Sequence, residues 1–270
     1  MRNRVLAGIL CLLLASCGSG SEEQIPQARK LQKGEYIYRK KGESHFATPS
    51  PEHKPLPTYP WEKPTTKGFP YITKEHFRCK GCQGNPPRFV QNGKETERLT
   101  DCLGTQKHGL PLRDGKEFIY PVLTELMNYL QETLGKQVMI TSGHRCPEHN
   151  TYIDSSKENQ TSKHQIGAEV SFYVVGAEEE PLAIVEQLMA YYKKNKEYAT
   201  FLRYEKETDV STPPWYNKEI YIKLYKAHEG RNLDNHHSYP YISIQVRHDR
   251  DLNQKVTYSW DQATRNYHRR

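Results

Sequence analysis

Hydrophobic and polar positions divide the chain into three regimes. Residues 5–14 form a continuous apolar run behind Arg2 and Arg4, too short to span a bilayer as a stable helix. Over residues 18–67 the periodicity disappears, and seven prolines lie among Lys, Glu and Ser. Such a stretch cannot bury enough apolar surface to build a core. Ordered patterns begin near Gly68. Phe118, Val122, Leu126, Tyr129, Leu130 and Leu134 recur at three- and four-residue steps, which predicts an amphipathic helix over 117–134. Pro121 is tolerable only in a first turn, so the helix proper should begin near Tyr120 and stop at Gly135. Leu182, Ile184, Val185, Leu188 and Met189 predict a second helix over 181–194. Residues 137–142 and 168–174 have the β-branched, apolar character of buried strands, and further strands are expected at 201–204, 219–225, 239–247 and 255–260. Alternation from Tyr241 onward places Ile242, Ile244 and Val246 on one face. Two helices over a mostly antiparallel sheet make an α+β domain, expected at 68–270, and no internal repeat is visible.

The leader changes the picture of where this domain sits. Leu14-Ala-Ser-Cys17-Gly18 looks like a bacterial lipobox, in which Cys17 is diacylated and becomes the mature N-terminus. Residues 1–16 are then a lipoprotein signal peptide, and 17–67 a lipid anchor with a proline-rich linker reaching roughly 40 Å as a flexible coil. The expectation is a palmitate-bearing lipoprotein held on the extracytoplasmic side, at the periplasmic face or outer membrane, and anchored rather than spanning. Lys and Arg number 39 against 32 Asp and Glu, a formal charge of +7, without the cation–aromatic stripe of a nucleic-acid binder. The charge is read as a solvated surface, and no nucleic-acid partner is expected.

Cys11 leaves with the leader, so Cys79, Cys82, Cys102 and Cys146 remain in an oxidising compartment. An even count there favours two disulfides, with three connectivities open. The competing reading is a zinc knuckle from Cys79, Cys82 and Cys102 with either Cys146 or His108.

Candidate chemistry centres on residues 137–172, beginning Gln-Val-Met-Ile-Thr-Ser-Gly-His-Arg145 and ending Thr-Ser162-Lys-His164-Gln-Ile-Gly167-Ala-Glu169-Val-Ser171-Phe. These blocks resemble the zinc D-Ala-D-Ala carboxypeptidases of the hedgehog/DD-peptidase fold (peptidase M15-like, VanY-like). Their pattern is Ser-Gly-x-Arg, then Ser-x-His-x-x-Gly-x-Ala-x-Asp, then a C-terminal strand carrying a second His. The resemblance implies the hedgehog/DD-peptidase form of the α+β class, a peptidoglycan substrate, and an arginine, here Arg145, that forks onto a peptide carboxylate. Ser162 takes a substrate-holding position and His164 that of the first zinc ligand. The Asp position falls on Ser171 and the second His on Ser243, while the base position falls on Pro240 or Tyr241. By this alignment one of three ligands survives and no base does. Glu169 shares a strand face with Ser171, so a rearranged site of His164, Glu169 and a histidine such as His237 is the alternative, with Glu169 as its base.

The expectation is therefore a cell-envelope pseudoenzyme that needs no cofactor and binds peptidoglycan stem peptides through Arg145, Ser162 and His164. A zinc-dependent carboxypeptidase or endopeptidase with rearranged ligands is one alternative. A purely structural or partner-binding envelope lipoprotein is another.

Overall fold

A computed structural model describes residues 67–81, 87–92, 95–104, 108–156 and 159–267, all within one compact unit, Leu56–Arg270. The expected signal peptide, Cys17, the linker and Cys82 lie outside the described residues. After a short 3-10 turn (Lys74–Phe77), two hairpins lead into the main body: β1 (Arg88–Asn92) with β2 (Glu95–Leu99), and β3 (Leu112–Arg113) with β4 (Lys116–Glu117). Then follow α1 (Pro121–Leu134), β5 (Val138–Ser142), α2 (Pro147–Ile153), β6 (Glu169–Val174) and α3 (Pro181–Tyr191). The chain closes with β7 (Leu202–Arg203), β8 (Trp215–Tyr216), β9 (Ile220–Tyr225), β10 (Tyr241–Val246), β11 (His248–Asp249), β12 (Gln254–Lys255) and α4 (Trp260–Thr264).

Six strands form one antiparallel sheet in the order β5-β6-β10-β9-β8-β7. Alternation decides its two faces. Val170, Phe172 and Val174 of β6, Ile242, Ile244 and Val246 of β10, and Ile220, Ile222 and Leu224 of β9 join one buried core with α1 and α3. The intervening Glu169, Ser171, Ser243, Gln245, Lys223 and Tyr225 line a cleft on the opposite side. The architecture is the α+β class expected from the sequence, with both long helices on one layer.

Both helices begin at prolines that cost no hydrogen bond in a first turn, and α1 stops at Gly135, which adopts φ 62°. Val122, Leu126 and Leu130 of α1 are buried, as their spacing requires. Its polar inner residues bind the preceding segment. Asn128 exchanges two 2.8 Å hydrogen bonds with the Ile72 backbone, and Gln131 reaches Pro70 O and Val138 N. At the end of β5, Gly143 passes so close to the Phe77 backbone that a Cβ would stand 2.7 Å from it. The absent side chain lets His144 N donate to Phe77 O at 2.6 Å and locks that loop.

One expected strand is corrected. Residues 255–260 do not continue as an extended segment: β12 ends at Lys255, and Ser259 caps α4 by accepting from Gln262 N. Serine at an N-cap favours a helix start over strand continuation.

The core at the centre of the sheet should dominate stability. Phe172→Ala, at a fully buried position, is expected to cost about 3–5 kcal/mol in chemical denaturation. Leu202→Ala on the outermost strand, 54% exposed, should change stability by about 0.5 kcal/mol or less.

Candidate functional site

The cleft has a volume of about 750 Å³ and is floored by β6, β10 and β9. Arg145, Ser162, His164 and Glu169 all line it, so four residues singled out in the sequence meet here. Ser171 and Ser243 are direct cross-strand partners on its floor.

Ser162 caps a 3-10 turn (Lys163–Ile166), accepting from His164 N at 3.3 Å. This cap fixes the turn that delivers His164. The ring Nδ1 donates to Gly143 O at 2.6 Å, which leaves Nε2 as an acceptor facing the cleft. Glu169 Oε1 stands 3.6 Å from that atom, too far for a hydrogen bond. The same oxygen accepts from Ser243 Oγ at 2.8 Å and from Gln245 Nε2 at 3.1 Å. Burial pushes His164 down to about 4, so the ring is neutral at neutral pH. Burial alone would raise Glu169, but the adjacent His164 and the hydrogen bonds from Gln245 and Ser243 outweigh it and hold the carboxyl low.

Arg145 occupies the other side of the cleft and is only 5% exposed. Its Nε donates to Asp234 Oδ2 at 2.8 Å and to Ser142 Oγ at 2.9 Å, while Ser142 Oγ donates to the same carboxylate at 2.7 Å. Asp234 Oδ1 meets His149 Nε2 at 2.7 Å, and His149 Nδ1 meets Asp101 Oδ1 at 2.6 Å. Burial opposes a charged His149, but the hydrogen bond and charge of Asp234 raise it to about 12. Asp234 is pushed far the other way: burial is outweighed by the hydrogen bond from His149 and the charge of Arg145. The result is a buried row of alternating charges, Asp101–His149–Asp234–Arg145, ending in the cleft.

Sequence reasoning missed three members of this arrangement. Asp101 and Asp234 sit in aperiodic loops, where nothing marks a buried carboxylate. Gln245 was recoverable, because it shares the strand parity of Ser243. His149 and Asn150 are buried in α2.

A zinc ion in the cleft can be tested against the residues present. His164 and Glu169 supply one imidazole and one carboxylate, but the remaining ligand positions hold neutral serine hydroxyls, and Ser243 is spent on Glu169. His237 does not complete the set. Its ring is clasped by Tyr173 at 4.9 Å, Tyr239 at 6.1 Å and Tyr241 at 5.9 Å. Among the described residues, metal-ligating atoms gather in groups of three or more only around Cys79, Cys102, His108 and Cys146, and around Asp101, Cys102 and His149. The cleft's donor set does not fit the zinc of the resembled enzymes.

Of the four disulfide candidates, Cys82 lies outside the described residues. Cys79, Cys102 and Cys146 are free and buried, with Cys79 Sγ and Cys102 Sγ 3.7 Å apart. Their three sulfurs and the imidazole of His108 lie within 4.8 Å of one another.

Residues 95–209 match the family model of Peptidase M15. The matched stretch holds Arg145, Ser162, His164, Glu169 and Ser171, and it ends before the strand that carries Ser243. No curated protein and no solved structure matches the chain.

His164 provides a pH test. Its folded value lies below the ordinary 6.5, so the unfolded chain binds a proton that the native ring refuses. The ring's contribution should be complete above about pH 6.5 and be lost as pH falls toward 4, at up to about 1.4 kcal/mol per pH unit. Imidazole NMR should show His164 titrating near pH 4, and denaturation of His164→Gln should show a shallower loss over that window.

Proposed function

We propose that this chain is a cell-envelope lipoprotein whose M15-type domain has exchanged zinc catalysis for recognition of carboxylate-bearing peptides, with peptidoglycan stem peptides as the ligand class. One observation carries the reading: ligand positions 171 and 243 are serines, and Ser243 donates to the Glu169 carboxylate. Hydrogen bonds therefore satisfy the floor of the cleft where the resembled enzymes need three strong metal ligands.

The cleft keeps what binding needs. Arg88, Arg145, Lys163, Lys223 and Arg231 line it against Asp154, Glu169 and Asp209, which favours an anionic group. Asp234 engages Arg145 through Nε, so the guanidinium is fixed at the wall before any ligand arrives. Hydroxyls of Ser162, Ser171 and Tyr241 offer neutral partners for a peptide backbone. Cys17 would tether the domain through its lipid, and the residues before Gly68 would span the distance to the wall.

Calorimetry of the full chain with a stem peptide ending in D-Ala-D-Ala should show binding without D-Ala release, with or without added zinc. Arg145→Lys keeps the charge beside Asp234 and loses the fork, and it should weaken binding about tenfold, or about 1.4 kcal/mol. Absence of binding, or zinc-dependent D-Ala release abolished by Glu169→Gln, would overturn the proposal. Anchoring is tested separately. Cys17→Ala should move the chain from the membrane to the soluble fraction and abolish palmitate incorporation.

A further inference from the structure

Away from the cleft floor, four buried side chains arrive from three separate segments. Cys79 follows the first 3-10 turn, Cys102 and His108 lie in the loop after β2, and Cys146 is the N-cap of α2. Their ligand atoms all lie within 4.8 Å of one another. Cys146 is fully buried, and the other three are at most 7% exposed.

Three independent features mark this cluster as a metal cradle. The first is spacing. Cys79 Sγ and Cys102 Sγ are 3.7 Å apart. A disulfide would bring them to about 2.05 Å. Two thiolates on one tetrahedral zinc, each about 2.3 Å from the ion, stand about 3.8 Å apart.

The second is the backbone. Gly81 and Gly104 each follow a cysteine by two residues, with φ of 53° and 65°. A Cβ on Gly104 would collide with Lys80 O, and one on Gly81 with Gly104 N. Only glycines let the two Cys-x-Gly turns nest so closely. Gly104 N donates to Cys102 Sγ at 3.4 Å and His149 N to Cys146 Sγ at 3.3 Å, contacts that stabilise sulfur carrying negative charge.

The third is an orphan. His108 Nδ1 is buried without a hydrogen-bond partner, while Tyr267 stacks on the ring at 5.3 Å and packs against the cysteines. A disulfide between Cys79 and Cys102 would consume two sulfurs and leave this nitrogen unsatisfied. A closed set of three thiolates and one imidazole satisfies all four, and it is a donor set of structural zinc.

We propose that Cys79, Cys102, His108 and Cys146 bind a structural zinc ion, separate from the cleft's degenerate ligand positions. The ion fastens the segment before β1 and the loop after β2 to the start of α2. It thereby fixes Cys146 next to Arg145. Asp101 carries the support further, since its Oδ1 accepts from Cys102 N at 2.8 Å and also meets His149.

The test is metal content of the full-length chain purified without added metal or chelator. Mass spectrometry of the metals should give near one zinc per chain, lost in Cys102→Ser and retained in both His164→Gln and Cys82→Ser. Cobalt exchanged into the wild-type chain should show thiolate charge-transfer and intense tetrahedral visible bands, a readout that does not depend on a variant folding. Zinc lost in His164→Gln and kept in Cys102→Ser would overturn this site and also the metal-free reading of the cleft. Zinc lost in Cys82→Ser and kept in Cys102→Ser would overturn the donor assignment alone. A zinc-free chain with Cys79 and Cys102 recovered as a disulfide peptide would overturn it as well.

Discussion

A carboxylate with almost no access to water, that of Asp234, sets the terms for this structure. Its side chain is 7% exposed, and an isolated charge so placed would be prohibitive. It is sustained by three donors from one neighbourhood: Ser142 at the end of β5, Arg145 in the following loop and His149 in α2. In return it fixes all three. Removing one partner of such a buried pair strands the other charge, typically at about 3–5 kcal/mol, so the residues act as one unit. The same unit presents Arg145 to the cleft and ties α2, through Asp101, to the loop of Cys102. The wall of the cleft and the packing of the N-terminal loops thus depend on the same charges.

The opposite wall has a different character. At the floor of the cleft, serines stand where the resembled enzymes carry zinc ligands, and Glu169 turns inward from the neighbouring position of the same strand face. A bare carboxylate there would be costly, yet Ser243 and Gln245 donate to it, and each occupies a strand position facing the cleft. The replacements form a coherent set. They leave a polar, hydrogen-bonded surface beside a fixed guanidinium.

Much of the fold was legible because its signals are local. The period of α1, its proline start and its glycine stop gave its limits to within a few residues. The alternation of β10 foretold which of its side chains face the helices. Ser171 and Ser243 were singled out by the resemblance alone, and it is the structure that pairs them across β6 and β10. What escaped the sequence depends on distant partners. Asp234 is a single acid in an irregular loop, and its meaning comes from Arg145, 89 positions earlier. The cysteines illustrate the same limit. Compartment and even count argued for disulfides but say nothing of the two glycine turns and the histidine that bring Cys79, Cys102 and Cys146 together. The strand expected over 255–260 failed for a local reason, the capping preference of Ser259.

The separation between Arg145 and Asp234 also bears on the order in which the molecule is built. β5, α2 and β6 can fold around local contacts, but the arginine they carry has no counter-charge until the segment between β9 and β10 arrives. Closing so long a loop is slow relative to local helix and hairpin formation. A nascent chain that stalls before Asp234 would therefore lack β10, the strand that joins β6 to β9, and would hold an unmatched guanidinium. Such an intermediate has no formed cleft, which appears only once the segment from Asp234 onward has been synthesised.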